Sequence, residues 1–248
     1  MTEPTPFTFL DGPAGRFGAC LVPPASAPGA IPATDLIAAG GLDLALETLR
    51  ARYPDGEARA LLSLWSRYYF YKLIPPVMLG ALLTGRTLPL DLAGTGVKHD
   101  ADGLPAAIVL PHEGTAAPDP VPAQAVLGPL ARDHLEPLIE ALAAQARVSA
   151  RVLWGNAAGY LHWVVEQLAA DHETFGPASP AIIEADALIH SRTWPDGWTN
   201  ALDEPMRHTD CPGGQQRHRK VCCLLYRVPG RDLCSYCPLT LRQPKAKH

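Results

Sequence analysis

The chain has 248 residues, of which 47% are hydrophobic and 19% are charged, and its formal net charge is −4. These values are typical of one packed globular domain with at most a small appendage. The chain starts without a basic segment followed by an apolar run, which argues against a signal peptide. The most apolar stretch, 73–93, is interrupted by prolines and charges, which excludes an ordinary transmembrane helix. We therefore expect a soluble, cytoplasmic protein.

The N-terminal third of the chain predicts irregular structure followed by helices. Residues 1–32 are rich in Pro, Ala and Gly, a composition that favours irregular backbone. Thr34 or Asp35 can cap a helix that continues to Leu49, because leucines at helical spacing follow. Residues 57–74 are rich in aromatic and apolar side chains and predict a long helix.

A change of pattern follows this long helix. The prolines at 75–76 predict a break and the first turn of another helix, which Gly85 can close. Two short apolar runs, 88–92 and 106–110, are separated by a segment with turn residues at 100–103. Such runs around a turn predict a small β-hairpin or meander.

The second half of the chain contains three strong helical segments. Residues 113–129 are rich in proline and predict a surface loop. The spacing of apolar residues predicts helices at 130–146, 149–170 and 181–191, and 194–198 predicts a turn flanked by two tryptophans. Together these elements predict a mainly α fold with a small β element, which places the protein in the α+β class.

Four of the six cysteines lie within sixteen positions near the C-terminus. Cys222 and Cys223 are adjacent, and Cys234 and Cys237 form a C-x-x-C unit after ten intervening residues. Thiolates at such spacing hold a soft metal ion or an iron–sulfur cluster. The spacing fits a structural zinc site about as well as a [2Fe–2S] cluster, and a disulfide or free buried thiols are further alternatives.

The spacing also suggests which cysteines would bind each iron of a [2Fe–2S] cluster. Adjacent side chains diverge, so one hypothesis is that Cys234 and Cys237 share one iron while Cys222 and Cys223 take the other with distorted geometry. A second hypothesis replaces some cysteine ligands, because histidines serve as ligands in Rieske centres. Its candidates lie just before the motif and are His208, Cys211 and His218.

Charge is distributed unevenly along the chain. Residues 206–248 contain nine basic and two acidic side chains, a net charge of +7, whereas the other 205 residues carry −11. Basic segments often contact nucleic acid or an anionic membrane surface. Beside a cluster made negative by four thiolates, cations would instead stabilise the reduced form and steer an acidic electron donor.

The cysteine motif resembles a known family. The pattern C-C-x10-C-x2-C at 222–237 resembles the C-terminal [2Fe–2S] motif of the FhuF family of ferric siderophore reductases. Two upstream stretches, 65–76 and 149–158, are also similar to the family, although aromatic and apolar residues at such spacing commonly form a core. Residues 2–29 show no family feature.

The resemblance implies a cytoplasmic, mostly helical protein that reduces the iron of a ferric siderophore. It implies a [2Fe–2S] cluster with Cys222, Cys223, Cys234 and Cys237 as ligands. Together with the composition of the N-terminal residues, it divides the chain into an irregular segment, 1–32, a helical FhuF-like body, 33–205, and a compact cluster-binding cap, 206–248.

The remaining expectations concern substrate and partners. The residues predicted to contact the siderophore are Arg192, Trp194, Arg207, Arg217 and Tyr226. The resemblance favours a hydroxamate siderophore. No flavin or nicotinamide fingerprint is present, so the electron is expected from a ferredoxin or from a flavin- or NADPH-dependent reductase.

The expected protein is a monomer that does not bind nucleic acid, has no transmembrane segment and can lie at the inner membrane as a peripheral protein. Two rival functions are a zinc-stabilised module that binds nucleic acid or protein, and a non-enzymatic iron–sulfur electron carrier or sensor.

Overall fold

The computed structural model describes residues 7–10, 12–117, 122–211 and 214–242. The fold is mainly helical with small sheets, as predicted, and therefore belongs to the α+β class. The helices are α1 Ala33–Ile37, α2 Gly41–Arg52, α3 Ala58–Thr84, α4 Ala123–Gly128, α5 Glu136–Gln145, α6 Ala150–Ala170, α7 His172–Phe175 and α8 Pro180–His190. The strands are β1 Leu21–Val22, β2 Ile31–Pro32, β3 Arg86–Thr87, β4 Gly96–His99, β5 Pro105–Val109, β6 Thr115–Ala116, β7 Met206–Cys211 and β8 Gly214–Arg219.

The long helix α3 is the centre of the fold and corrects the predicted break at 75–76. Both prolines lie inside this helix and are buried. An interior proline removes a helical hydrogen bond and costs about 3 kcal/mol. The helix nevertheless continues because its surroundings bury side chains along most of its length, among them Trp65 and Phe70. It ends at Gly85, whose φ of 62° makes it the predicted closing residue.

The single helix predicted from residue 34 to Leu49 is wrong, because the structure has two helices there, α1 and α2. The break lies at two glycines. Gly40 has a φ of 89°, which is costly for a residue with a side chain. A Cβ atom on Gly41 would lie 1.9 Å from the backbone oxygen of Leu36. The local backbone thus requires glycine and overrides the leucine periodicity.

The small sheet has the strand order β1-β5-β4-β2. Its hairpin joins β4 to β5 through the predicted turn at 100–103, and β5 overlaps the predicted run. The first run, 88–92, is not a strand. Residues 88–91 are irregular and Leu92 begins a short 3-10 turn, while Leu90 and Leu92 are buried. The strands β1 and β2 lie in residues 1–32, the segment that the sequence predicts to be irregular, and they pair with β5 and β4. The division of the chain into three parts, with its first boundary at residue 32, stays a prediction.

The predicted loop at 113–129 is only partly correct. It contains β6, which pairs with β3, and the helix α4, while residues 118–121 lie outside the described residues. The helix predicted at 130–146 is confirmed, but it begins with a widened π-helical turn, Pro129–Leu135, before α5. The helices α6 and α8 and the tryptophan turn are found where the sequence predicts them.

The C-terminal part begins with an unpredicted antiparallel hairpin of β7 and β8. The cysteine segment follows β8 and packs on the helical body as a compact cap. Arg227 of this cap forms an ion pair of 2.7 Å with Glu57, the residue before α3. Across the described ranges, no helix has both the length and the apolarity needed to cross a membrane.

Candidate metal centre and adjoining cavity

The cysteine segment folds back on itself, which brings its two halves together. The backbone N–H of Arg219 donates to the carbonyl of Tyr236, so the end of β8 lies beside the C-x-x-C unit. Leu224 has a φ of 58°, a left-handed turn directly after the adjacent cysteines. This turn lets the N–H of Leu224 donate to the Sγ atom of Cys222 at 3.4 Å.

The thiols meet in pairs that cross the segment. The Sγ atoms of Cys223 and Cys234 are 3.7 Å apart. Burial and, after it, the nearby Cys237 thiol raise the pKa of Cys222. The chain reversal thus places Cys223 opposite Cys234. The hypothesis of separate adjacent pairs stays a prediction. Two thiolates at about 2.3 Å from one tetrahedral metal lie about 3.8 Å apart, so the Cys223–Cys234 pair fits shared ligation.

The electrostatic surroundings favour a thiolate at Cys223. The pKa of Cys223 is lowered to about 5, chiefly by its hydrogen bond with Cys234 and also by the Arg219 and Arg67 guanidinium groups. The pKa of Cys234 is raised, chiefly by its hydrogen bond with Cys223 and also by burial. Metal ligands must be thiolates, and this site stabilises one before any metal binds.

A buried polar network holds the cysteine segment against α3 and α6. Arg219 donates to Oδ1 of Asn156 at 2.6 Å. The Asn156 amide donates to the Oγ atoms of Ser63 at 3.0 Å and Ser66 at 3.1 Å. Ser63 in turn donates to the carbonyl of Cys223 at 2.6 Å. The network therefore fixes both the Arg219 cation and the backbone of Cys223 beside the thiols.

A cavity of about 340 Å³ adjoins this network between α3, α6 and β8. Arg67 belongs to its wall and also approaches the Sγ atom of Cys223 at 3.8 Å. The wall thus connects the cavity directly to the thiol site. Its lining combines aromatic and cationic side chains, which include Tyr71, Tyr160, Trp163, Arg217, Arg219 and Tyr236.

A second cavity of about 660 Å³ adjoins the first. The two share lining residues from α6, β7 and β8, among them His162 and Met206. Between them Arg217 forms a bidentate pair with Glu166, with N–O distances of 2.6 and 3.1 Å. The thiol site therefore lies at one end of a composite cleft.

The predicted substrate residues separate into two groups. Arg217 lines both cavities, and Arg192 and Arg207 line the second. Trp194 is only 2% exposed and its indole donates to the carbonyl of Leu188, so it packs the body and contacts neither cavity. Tyr226 is exposed beside Arg227 and also lies outside both linings.

Two of the three alternative ligands, His208 and His218, have side chains with described positions. His208 lines the second cavity, on β7. His218 is buried, and its two ring nitrogens have no hydrogen-bond partner among the described residues. The side chain of Cys211 lies outside the described residues. Within the described ranges, no three His, Cys, Asp or Glu side chains converge as a site for a single metal ion.

Sequence reasoning missed the part of the site that comes from the helical body. Arg67, Asn156 and Tyr160 line the cavity, and the first two lie within the stretches 65–76 and 149–158 that carry the family resemblance. A polar residue inside an aromatic or apolar helix was the available signal, because such a residue must find a partner when it is buried.

A mainly helical body with a thiol-rich cap beside an aromatic and cationic cavity is the arrangement expected of an iron–sulfur redox protein. Comparison with known protein families supports this class. Residues 63–215 match the family described as "Ferric iron reductase FhuF-like transporter", and residues 219–239 match the "FhuF 2Fe-2S C-terminal domain". The chain belongs to the FhuF family.

A relative supports the same assignment. A protein of Escherichia coli (strain K12) described as "Ferric siderophore reductase" is 24% identical over 183 residues, which cover 74% of this chain and 67% of that relative. The chain is thus an iron–sulfur reductase whose cofactor is a [2Fe–2S] cluster. The zinc-module and carrier alternatives lose their support.

Proposed function

We propose that the protein reduces the ferric iron of a siderophore bound in the 340 Å³ cavity, and that Fe(II) is released in the cytoplasm. The observation that carries this proposal is the shared wall, because Arg67 lines the cavity and lies 3.8 Å from the Sγ atom of Cys223. An electron acceptor in this cavity would be separated from the thiol site only by side chains that contact both.

The proposed cluster ligands are Cys222, Cys223, Cys234 and Cys237. When bound, the cluster supplies single electrons, which is the stoichiometry that converts Fe(III) to Fe(II). Each added electron makes the centre more negative, so the neighbouring cations stabilise its reduced state more than its oxidised state. The guanidinium groups of Arg67 and Arg219 are such cations, and both lie beside Cys223.

The contact between the Cys223 and Cys234 sulfur atoms, together with the proximity of Cys237 to Cys222, supports one distribution of ligands over the two irons. We propose that Cys223 and Cys234 share one iron and that Cys222 and Cys237 share the other. Proton NMR of the reduced protein checks this assignment, since cysteine β-protons at ferric and ferrous iron shift oppositely with temperature. Cys223 and Cys234 should behave alike, whereas common behaviour of Cys234 and Cys237 would contradict the crossed assignment.

The proposed reaction requires few catalytic groups from the protein. Siderophore oxygens are hard, anionic donors that bind Fe(III) far more tightly than Fe(II), so reduction alone weakens the complex. The aromatic walls provided by Tyr71, Tyr160 and Trp163 can pack against the ligand backbone and displace water. No nucleophile or general base is required for the electron transfer itself.

The anaerobically purified holoprotein provides the direct test. Its absorption and EPR spectra are recorded before and after dithionite, and a ferric hydroxamate siderophore is then added. We expect bleaching of the visible bands, an S = 1/2 signal of the reduced cluster, and reoxidation by the siderophore with release of Fe(II). A cluster that reduces but is not reoxidised by any siderophore would contradict the proposed function.

Further parts of the proposal concern substrate type and partners. Hydroxamate siderophores are preferred by family resemblance. The electron is proposed to come from a ferredoxin or from a flavin- or NADPH-dependent reductase. We propose a monomer in the cytoplasm that does not bind nucleic acid and that can associate peripherally with the inner membrane.

A further inference from the structure

The composite cleft next to the thiol site has a strongly positive lining. Its two cavities include six cationic side chains and two carboxylates, a formal charge of +4 with histidines neutral. The carboxylates are Glu166 and Glu204. The cations are Arg67, Arg192, Arg207, Arg217, Arg219 and Lys220.

The carboxylates of the lining already have cationic partners. Glu166 forms the bidentate pair with Arg217, and Glu204 accepts from Lys220 at 2.7 Å. The excess positive charge therefore lies on the other arginines. Arg192 and Arg207 are both exposed, and neither forms an ion pair with a carboxylate among the described residues.

The cationic side chains lie in two groups, one at each end of the cleft. Arg67 and Arg219 lie at the thiol end, where a bound cluster would share their field. Arg192 and Arg207 line only the second cavity, beyond the Arg217–Glu166 pair. A guanidinium group binds a carboxylate through two parallel hydrogen bonds, so the second cavity suits an anionic group better than a neutral one.

We propose that the second cavity receives a peripheral anionic group of the ferric chelate, chiefly a carboxylate, while the iron-binding part occupies the first cavity. This inference rests on the proposed function and specifies its substrate class. Among chelates with the same iron-binding groups, an anionic one is reduced faster than a neutral one, and a cationic one is slowest. The lining attracts anions before binding and pairs with them afterwards.

A charge series built on one ligand tests the inference. Ferrioxamine B carries a pendant ammonium group, its N-acetyl derivative is neutral, and its N-succinyl derivative carries a carboxylate, while the three hydroxamates are unchanged. The holoprotein is reduced with stoichiometric dithionite, and reoxidation of the cluster by each chelate is followed by stopped flow. Dithionite replaces the physiological donor, so a role of the arginines in docking an acidic donor protein cannot produce the charge dependence.

The expected second-order rate constant increases from the cationic to the anionic chelate by about tenfold at low ionic strength, and salt reduces the ratio. The double variant Arg192→Gln/Arg207→Gln should bring the ratio close to one. The matched control is Arg50→Gln, which removes an arginine that pairs with Asp43 on α2 and lines neither cavity. It should preserve all three rate constants.

The outcomes separate this inference from the proposed function. Equal rate constants for the three chelates would overturn the anion preference and leave the reductase intact. A charge dependence that persists in the double variant would overturn its assignment to the second cavity. Failure of all three chelates to reoxidise the cluster would instead overturn the proposed function.

Discussion

Replacement of Cys223 by serine is expected to abolish binding of the [2Fe–2S] cluster. Cys223 is buried, its Sγ atom contacts that of Cys234, and two arginines favour its thiolate form. A serine hydroxyl keeps its proton at neutral pH and is a harder, shorter ligand, so it cannot replace a soft thiolate here. Iron should fall from about two atoms per chain to near zero.

The measurement combines iron and sulfide analysis with visible absorption after anaerobic purification. Cys20→Ser is the matched control, because Cys20 is also buried but lies before β1, where desolvation raises the pKa of its thiol. The control should retain the wild-type spectrum and iron content. A Cys223→Ser protein with a normal cluster would defeat the four-cysteine assignment.

The parts of the fold that sequence reasoning predicted are those with strong local signals. The helices α6 and α8 and the turn at 194–198 follow from apolar periodicity and turn residues. The errors occur where distant packing or backbone geometry decides. The prolines at 75–76 stay helical because the surrounding core stabilises α3, and Gly41 splits a periodic segment because no Cβ atom fits there.

The candidate site also has a part that local sequence signals predict and a part that they do not. The four cysteines were predictable because their spacing is local, and the cofactor followed from the family motif. The cavity was not predictable, because its walls come from α3, α6 and β8, which only the tertiary fold brings together. Trp194 shows the same limit, since the sequence predicts a substrate contact there, whereas its side chain is buried in the core.

Asn156 is expected to couple protein stability to the potential of the cluster. Replacement by alanine removes the acceptor of Arg219 and the donor to Ser63 and Ser66, which leaves buried polar groups without partners. This should lower the free energy of unfolding by about 3 kcal/mol. The midpoint potential should also fall, because Arg219 is then no longer held beside Cys223.

The variant Asn156→Asp separates these two effects. An aspartate can still accept from Arg219, so the loss of stability should be smaller than in Asn156→Ala. Its added negative charge opposes the Arg219 cation, and the midpoint potential should fall by about 50 mV, equivalent to about 1 kcal/mol for one electron. Redox titration followed by EPR measures the potential, and urea unfolding of the holoprotein measures stability.

Asn200→Ala is the matched control for the loss of free energy of unfolding. Asn200 is also buried, and its amide donates to the carbonyls of Leu188, Ile189 and Ser191. Its loss should destabilise the protein by a similar amount but leave the potential unchanged, because Asn200 has no contact with the thiols or with Arg219. If Asn156→Asp kept the wild-type potential, Asn156 would be a packing residue only. A fall confined to the Asn156 variants would identify Arg219, held by Asn156, as a cation that sets the potential of the cluster.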